Sequence, residues 1–235
     1  MNRLPRQQEL PDLAPLIHQA LLDPLLSRDR LNEGCDAARQ LGLGKLCTNL
    51  SQLTAVRERL GAPGPTGLIA VIAFPFGAIP TTLKQAQAEW AAEHGAEALD
   101  VVPDLTALAE DRPNAFAEEL AILINVGLPV TVILDMARLE DAQLKLAVEA
   151  AIDAGAEAVQ TSNGFGAATT ARHVEQLRSL TRGRCGIKAA GGVHTLEQCQ
   201  QLIEAGATAL GTSSGPQLMQ ALRTPIASGN GRIDG

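Results

Sequence analysis

Glu93-His94-Gly95-Ala96-Glu97-Ala98-Leu99, Asp153-Ala154-Gly155-Ala156-Glu157-Ala158-Val159 and Glu204-Ala205-Gly206-Ala207-Thr208-Ala209-Leu210 are copies of one phrase. In each, an amphipathic segment stops at a glycine, the residue that best tolerates the left-handed backbone just past a helix end, and an apolar run follows at once. Gly42, Gly61 and Gly127 punctuate the chain in the same way, ahead of Lys45–Asn49, Leu68–Phe74 and Pro129–Asp135. Helix, turn and buried strand, repeated along the chain, is the rhythm of a βα array.

Working outward from that phrase, the helical segments have apolar stripes and start signals. Ser27 stands before Leu31, Ala38 and Leu41; Thr82 stands before Leu83, Ala86 and Trp90. Phe116, Leu120, Leu123 and Ile124 stripe a further segment, and Leu144, Val148, Ala151 and Ile152 another. Thr170 precedes Val174 and Leu177, and Thr195 with Gln198 reads as a capping box. The strands are short, apolar and weakly alternating: Lys45–Asn49, Leu68–Phe74, Leu99–Val102, Val130–Leu134, Ala158–Thr161, Gly186–Ala190 and Thr208–Thr212. Strands buried on both faces of a parallel sheet have that composition. With a first strand near Leu16–His18 the total is eight, each followed by a helix. That predicts an α/β protein with a single (β/α)8 barrel over residues 13–224, an open doubly wound sheet being the alternative. No G-x-G-x-x-G follows the first strand, and the repeat runs to the C-terminal end, which favours the barrel. Residues 1–12 and 225–235 are polar or Gly-rich and read as flexible tails.

Composition removes several function classes. Of 235 residues 46% are hydrophobic but only 2% aromatic, and the net charge is −7, so neither base stacking nor a phosphate-backbone footprint is available for nucleic acid. No apolar run reaches a membrane span. The cysteines, Cys35, Cys47, Cys185 and Cys199, have no zinc or C-x-x-C spacing and read as reduced thiols of a cytoplasmic protein.

A barrel carries its chemistry at the C-terminal ends of its strands. Those ends give His18, Asn49, Phe74-Pro75-Phe76-Gly77, Asp100, Asp135, Gln160-Thr161-Ser162-Asn163-Gly164, Lys188 and Thr212-Ser213-Ser214-Gly215. Lys188 sits in Gly186-Ile187-Lys188-Ala189-Ala190-Gly191-Gly192-Val193, where a lysine at the mouth of a buried strand needs a partner for its ammonium. Asp100, inside an apolar strand, is the natural partner across the barrel. The turns at Gly191-Gly192 and Gly211–Gly215, with Gly164 beside them, fall where barrels bind phosphate. Gly164, Gly191, Gly192, Gly211, Ser213 and Ser214 are therefore expected to ring an anion near a helix N-terminus. His18, His194, Asp100 and Asp135 lack ligand spacing, so no metal is expected.

Val71-Ile72-Ala73-Phe74-Pro75-Phe76-Gly77, Asp100-Val101-Val102, Gly186 to Val193 and Leu210-Gly211-Thr212-Ser213-Ser214-Gly215 resemble the deoxyribose-phosphate aldolases, in register from about Leu16 to Leu222. The resemblance implies a barrel and reversible cleavage of 2-deoxyribose 5-phosphate to glyceraldehyde 3-phosphate and acetaldehyde, through a lysine imine and without metal or other cofactor. It assigns Lys188 and Asp100 to the family's helper lysine and acid/base aspartate. The family's imine-forming lysine, in a Val-Lys-Thr-Ser-Thr-Gly run, is matched here by Gln160 in Val159-Gln160-Thr161-Ser162-Asn163-Gly164. Other departures are Ile17 and Thr131 where the family has Asp and Lys, and His194 where Arg is frequent.

An amide nitrogen is not nucleophilic, and of the chain's lysines, Lys45, Lys84, Lys145 and Lys188, only the last is expected in the pocket. Lys45 opens a strand at the far end, and Lys84 and Lys145 are expected on outer helix surfaces. An Asp100 partner would favour the charged ammonium of Lys188. Two readings stay open: an aldolase working through Lys188 with Asp100, and a catalytically impaired phosphosugar sensor or interaction module. The expected partner is a small phosphorylated sugar, with no nucleic acid and no membrane. Self-association and any protein partner are left open.

Overall fold

The computed structural model describes residues 12–223; of the tails expected at 1–12 and 225–235, all but Asp12 lie outside the described residues. Eight parallel strands close into a barrel in sequence order: β1 (Ile17–Leu21), β2 (Lys45–Thr48), β3 (Gly67–Ile72), β4 (Ala98–Val101), β5 (Val130–Ile133), β6 (Ala158–Gln160), β7 (Gly186–Ala190) and β8 (Ala209–Thr212). The seam is the β1–β8 pair, with His18 opposite Gly211. Around the barrel run α1 (Arg28–Leu41), α2 (Leu50–Leu60), α3 (Thr81–Glu93), α4 (Leu105–Ala109), α5 (Pro113–Ile124), α6 (Asp141–Ala154), α7 (Ala171–Thr181), α8 (Leu196–Ala205) and α9 (Gly215–Arg223). The single (β/α)8 barrel expected from the repeated phrase is the fold.

The phrase works as its glycines dictate. Gly155 and Gly206 cap α6 and α8 in the left-handed region, at φ 91° and 119°, and the apolar run that follows enters the sheet directly. Ser27, Thr170 and Thr195 each accept a backbone N–H at the start of their helices, and Thr170 and Thr195 head full capping boxes. The first strand lies later than expected. A 3-10 turn at Ala14–Leu16, entered through Pro15, holds the chain out of the sheet, so His18 is the second residue of β1 rather than its last. The short α4 has no counterpart among the expected helices; Asp104 caps it, accepting from the Thr106 N–H at 3.0 Å.

Two apolar clusters follow from the two faces of the strands. The larger fills the layer between sheet and helices, with Leu46, Leu68, Ile72, Leu99, Val132, Val159, Ile187 and Leu210 meeting Leu53, Phe116, Leu144 and Leu202. The smaller lies inside the barrel and consists of Cys47, Ile69, Val71 and Ala98, with Leu22 and Phe74 against it. The β2–β4 side of the interior is apolar; elsewhere polar side chains share the interior with Ala20, Ile133 and Ala190.

One helix turns a different face inward from the one its apolar stripe predicts. On α3, Leu83 is 54% and Trp90 37% exposed, whereas Lys84 is fully buried with Ala88 and Ala91. Lys84 is thus not an outer-surface lysine. Its ammonium donates to Glu119 Oε1 at 2.7 Å, and that carboxylate also accepts from the Thr81 hydroxyl at 2.7 Å and the Asp104 N–H at 2.6 Å. A buried charge is tolerable only when so partnered. The cysteines form no disulfide, and burial raises the thiols of Cys35 and Cys199 to about 11, which keeps them protonated. Among the described residues no helix is long and apolar enough to cross a membrane.

Candidate functional site

A cavity of about 230 Å³ opens at the C-terminal end of the barrel. Its floor is built by strand register. Gln160 on β6 is the direct neighbour of Lys188 on β7, and Asp100 on β4 lies between Val71 and Thr131. Because side chains alternate along a strand, these positions all point inward.

Lys188 and Asp100 are each only 3% exposed in their side chains, and the Lys188 ammonium donates to Asp100 Oδ2. The pairing expected across the barrel is therefore present. The same carboxylate oxygen accepts from the Cys47 thiol at 3.5 Å. Cys47 is a buried cavity residue, and its thiol is raised by desolvation and by the Asp100 charge. Its presence was not anticipated; Asn49, the strand-end residue expected from β2, does not line the cavity and donates to the Leu22 carbonyl at 3.2 Å. His18 also lines the cavity. Burial first, then the Lys188 and Lys45 charges, lower its pKa well below the ordinary value, so its imidazole is neutral.

Gln160 Nε2 donates to the Ser162 carbonyl at 2.7 Å, which orients the amide with its oxygen free. Thr161, one of the strand-end residues, does not line the cavity. Its hydroxyl accepts from the Ala190 N–H at 3.0 Å and pairs with Thr169, tying the end of β6 to the end of β7.

The glycine turns meet at the cavity mouth. Gly164, Gly191, Gly192, Gly211 and Ser213 line it. Gly191 and Gly192 both have positive φ, 102° and 73°, and a Cβ on Gly192 would lie 2.9 Å from the Ala168 Cβ. Gly211 leaves room beneath: a Cβ there would come within 3.2 Å of Lys188 Cε. Thr212 fastens the two turns together, donating to the Val193 carbonyl at 2.6 Å and accepting from the Ser214 N–H at 2.9 Å. Ser214 itself does not line the cavity; its hydroxyl lies 3.0 Å from His194 Nδ1, and His194 does. α9 begins directly after the second turn, and its first N–H, that of Gly215, donates to Gln19 Oε1 at 2.9 Å.

Gln19 is a supporting residue that sequence reading missed. It is buried in β1 on the helix-facing side, between Ile17 and Leu21. Its amide donates to the Ser213 carbonyl at 3.0 Å and accepts from the Gly215 N–H at 2.9 Å, clamping the β8–α9 turn. A glutamine at an apolar strand position requires both ends of the amide to be satisfied, and that requirement was the available clue. Phe165 packs edge-on against Phe74, which lines the cavity, and against Phe76, with centroids 5.8 and 6.0 Å away. Asn163 Nδ2 donates to the Pro75 carbonyl at 3.0 Å and joins the same two loops. Asp135 lies outside this cavity, buried beside Arg138 at 3.6 Å. Among the described residues no group of three or more His, Cys, Asp or Glu side chains is placed to share a metal ion.

Chemically, the site has a rim of glycine turns over a floor holding the Lys188 ammonium, the Asp100 carboxylate, the Cys47 thiol, the neutral His18 imidazole and the Gln160 amide. No family model matches the chain. Comparison with known proteins finds 38% identity over 215 residues with a deoxyribose-phosphate aldolase of Trichormus variabilis, covering 91% of this chain and 95% of that one. A deoxyribose-phosphate aldolase of Thermococcus gammatolerans is 34% identical over 218 residues, covering 90% and 97%. Among solved structures, the aldolase QR15 superposes with a TM-score of 0.86 at 31% identity, over 91% of this chain and 96% of its own. A tetrameric deoxyribose phosphate aldolase from Aeropyrum pernix gives 0.81 at 29%, over 90% and 91%.

Proposed function

The chain belongs to the deoxyribose-phosphate aldolase family, and from that we propose that it binds a small phosphorylated sugar of the 2-deoxyribose 5-phosphate class at the barrel mouth without the family's usual imine turnover. The observation that carries this is the floor of the site. Gln160 stands directly beside Lys188 in the strand register, and the amine of Lys188 donates to Asp100. An imine forms when a neutral amine adds to a carbonyl carbon and water leaves. The Gln160 nitrogen is an amide whose lone pair is delocalised. An ammonium donating to a carboxylate has no lone pair to offer. The phosphate is assigned to the rim formed by Gly164, Gly191, Gly192, Gly211 and Ser213, with Ser214 acting through His194, because backbone N–H groups at glycine turns and a helix N-terminus suit a small anion even in an acidic protein.

A second reading rests on Lys188 being the only lysine that lines the cavity among the described residues, with a carboxylate already in contact. In it, aldol cleavage to glyceraldehyde 3-phosphate and acetaldehyde proceeds through an imine relocated to Lys188, Asp100 moving the proton. One set of measurements separates the two. Calorimetry should detect 2-deoxyribose 5-phosphate binding, a coupled assay should detect almost no glyceraldehyde 3-phosphate, and borohydride with acetaldehyde should leave the protein unmodified. Gln160→Lys should introduce trapping and raise the cleavage rate, limited by the groups lost at Ile17 and Thr131. A reduced adduct on Lys188 of the unaltered protein would establish the second reading instead. The tetrameric Aeropyrum pernix relative supports self-association as part of the proposal, which sedimentation measures directly.

A further inference from the structure

Among the described residues, three buried side-chain atoms have no hydrogen-bond partner: His18 Nδ1, Asp100 Oδ1 and Gln160 Oε1. All three residues line the same cavity. Asp100 and Gln160 are both more than nine-tenths buried. Buried polar atoms elsewhere in the fold are satisfied, as the Glu119 and Gln19 networks show. Unpaired buried polar groups are destabilising, and their concentration at one place marks where a ligand supplies the partners.

The chemistry of the three atoms specifies that ligand. Asp100 Oδ1 belongs to a carboxylate whose other oxygen already serves Lys188 and Cys47, so it only accepts. Gln160 is oriented by the bond from its Nε2 to the Ser162 carbonyl, so the group it presents is also an acceptor. His18, neutral beside Lys188, accepts or donates through Nδ1 according to its tautomer. A carbonyl oxygen can only accept and finds two acceptors here. An ammonium would donate, but next to the cation of Lys188. A hydroxyl donates to the carboxylate and the amide oxygen and takes either role with the imidazole.

We infer that the floor of the cavity selects a polyhydroxylated, carbonyl-free five-carbon phosphate, a pentitol 5-phosphate, with the hydroxyls of the carbons farthest from the phosphate on Asp100 Oδ1, Gln160 Oε1 and His18 Nδ1. The inference rests on the phosphosugar reading above, since the glycine turns that would hold the phosphate line the same cavity as these three atoms. Replacing the family's lysine by Gln160 then exchanges a reactive amine for a hydroxyl acceptor.

Calorimetry with ribitol 5-phosphate, ribose 5-phosphate, 2-deoxyribose 5-phosphate and inorganic phosphate tests it on the unaltered protein. Ribitol 5-phosphate should bind roughly ten- to a hundredfold tighter than 2-deoxyribose 5-phosphate, with ribose 5-phosphate between them. Gln160→Met, which keeps the volume and removes the acceptor, should shrink that ratio several-fold while leaving inorganic phosphate affinity unchanged. Equal affinities for the three organic phosphates, or tightest binding of 2-deoxyribose 5-phosphate, would overturn the inference and leave the phosphosugar site standing. Binding of none of them would overturn the phosphosugar reading itself.

Discussion

His18 shows how much one side chain depends on its surroundings. As a residue of an apolar strand it reads as an ordinary strand-end histidine; in the barrel it is desolvated beside two ammonium groups, and its pKa falls well below 6.5. Above pH 6.5 neither the folded nor the unfolded state carries a proton there. Below it the unfolded chain takes one up and the folded chain does not, so stability declines as pH drops. Between pH 6.5 and about 5 the loss should reach up to about 2 kcal/mol. Urea titrations of the native protein and of His18→Gln across that range check this: the variant's stability should fall less steeply, and equal slopes would contradict the assignment of a neutral histidine. Gln160 and Lys188 make the complementary point, since their side-by-side placement comes from strand register and their chemistry from residue type.

At the scale of elements, α3 is the instructive case. Its leucine and tryptophan face outward because the inward face is organised by the Lys84–Glu119 pair, which links α3 to α5 and to the turn before α4. Lys84→Met should cost about 3–5 kcal/mol, because it leaves the Glu119 carboxylate buried without its cation. Adding Glu119→Leu should recover only part of that, since the Thr81 hydroxyl and the Asp104 N–H would lose their acceptor. Chemical denaturation of the single and double variants measures both. The β8–α9 turn illustrates the same logic near the site. Gln19 reaches it from β1 across the seam, so Gln19→Leu should weaken phosphosugar binding several-fold by loosening Ser213 and Gly215, with a smaller effect on overall stability. Calorimetry beside thermal unfolding separates those two effects.

For the whole molecule, closure is what divides the interior. Pairing β1 with β8 brings His18 and Gly211 next to Lys188 and Gln160 and leaves Cys47, Ile69, Val71 and Ala98 on the opposite wall. One side packs like a core and the other holds polar groups around a cavity. Closure also makes the strands interdependent, since β1 and β7 both lose a neighbour if β8 is removed. A chain ending at Ala207 should therefore lose its cooperative unfolding transition altogether, which a thermal melt followed by circular dichroism would reveal; a retained sharp transition would show that the first seven strands fold independently.

The repeated glycine-ended phrase, the short apolar strands and the caps at Ser27, Thr170 and Thr195 were sufficient in sequence to determine eight βα units, because helix ends and strand periodicity are local physics. Lys188, Asp100 and the glycine turns were legible for the same reason: a charge in an apolar strand or paired glycines after one announce themselves. Tertiary packing decided that Cys47 would touch Asp100, that Gln19 would clamp a turn from across the seam and that Lys84 would be buried. Those outcomes depend on which side chains from distant strands and helices share one buried volume, and only the packed structure holds that information.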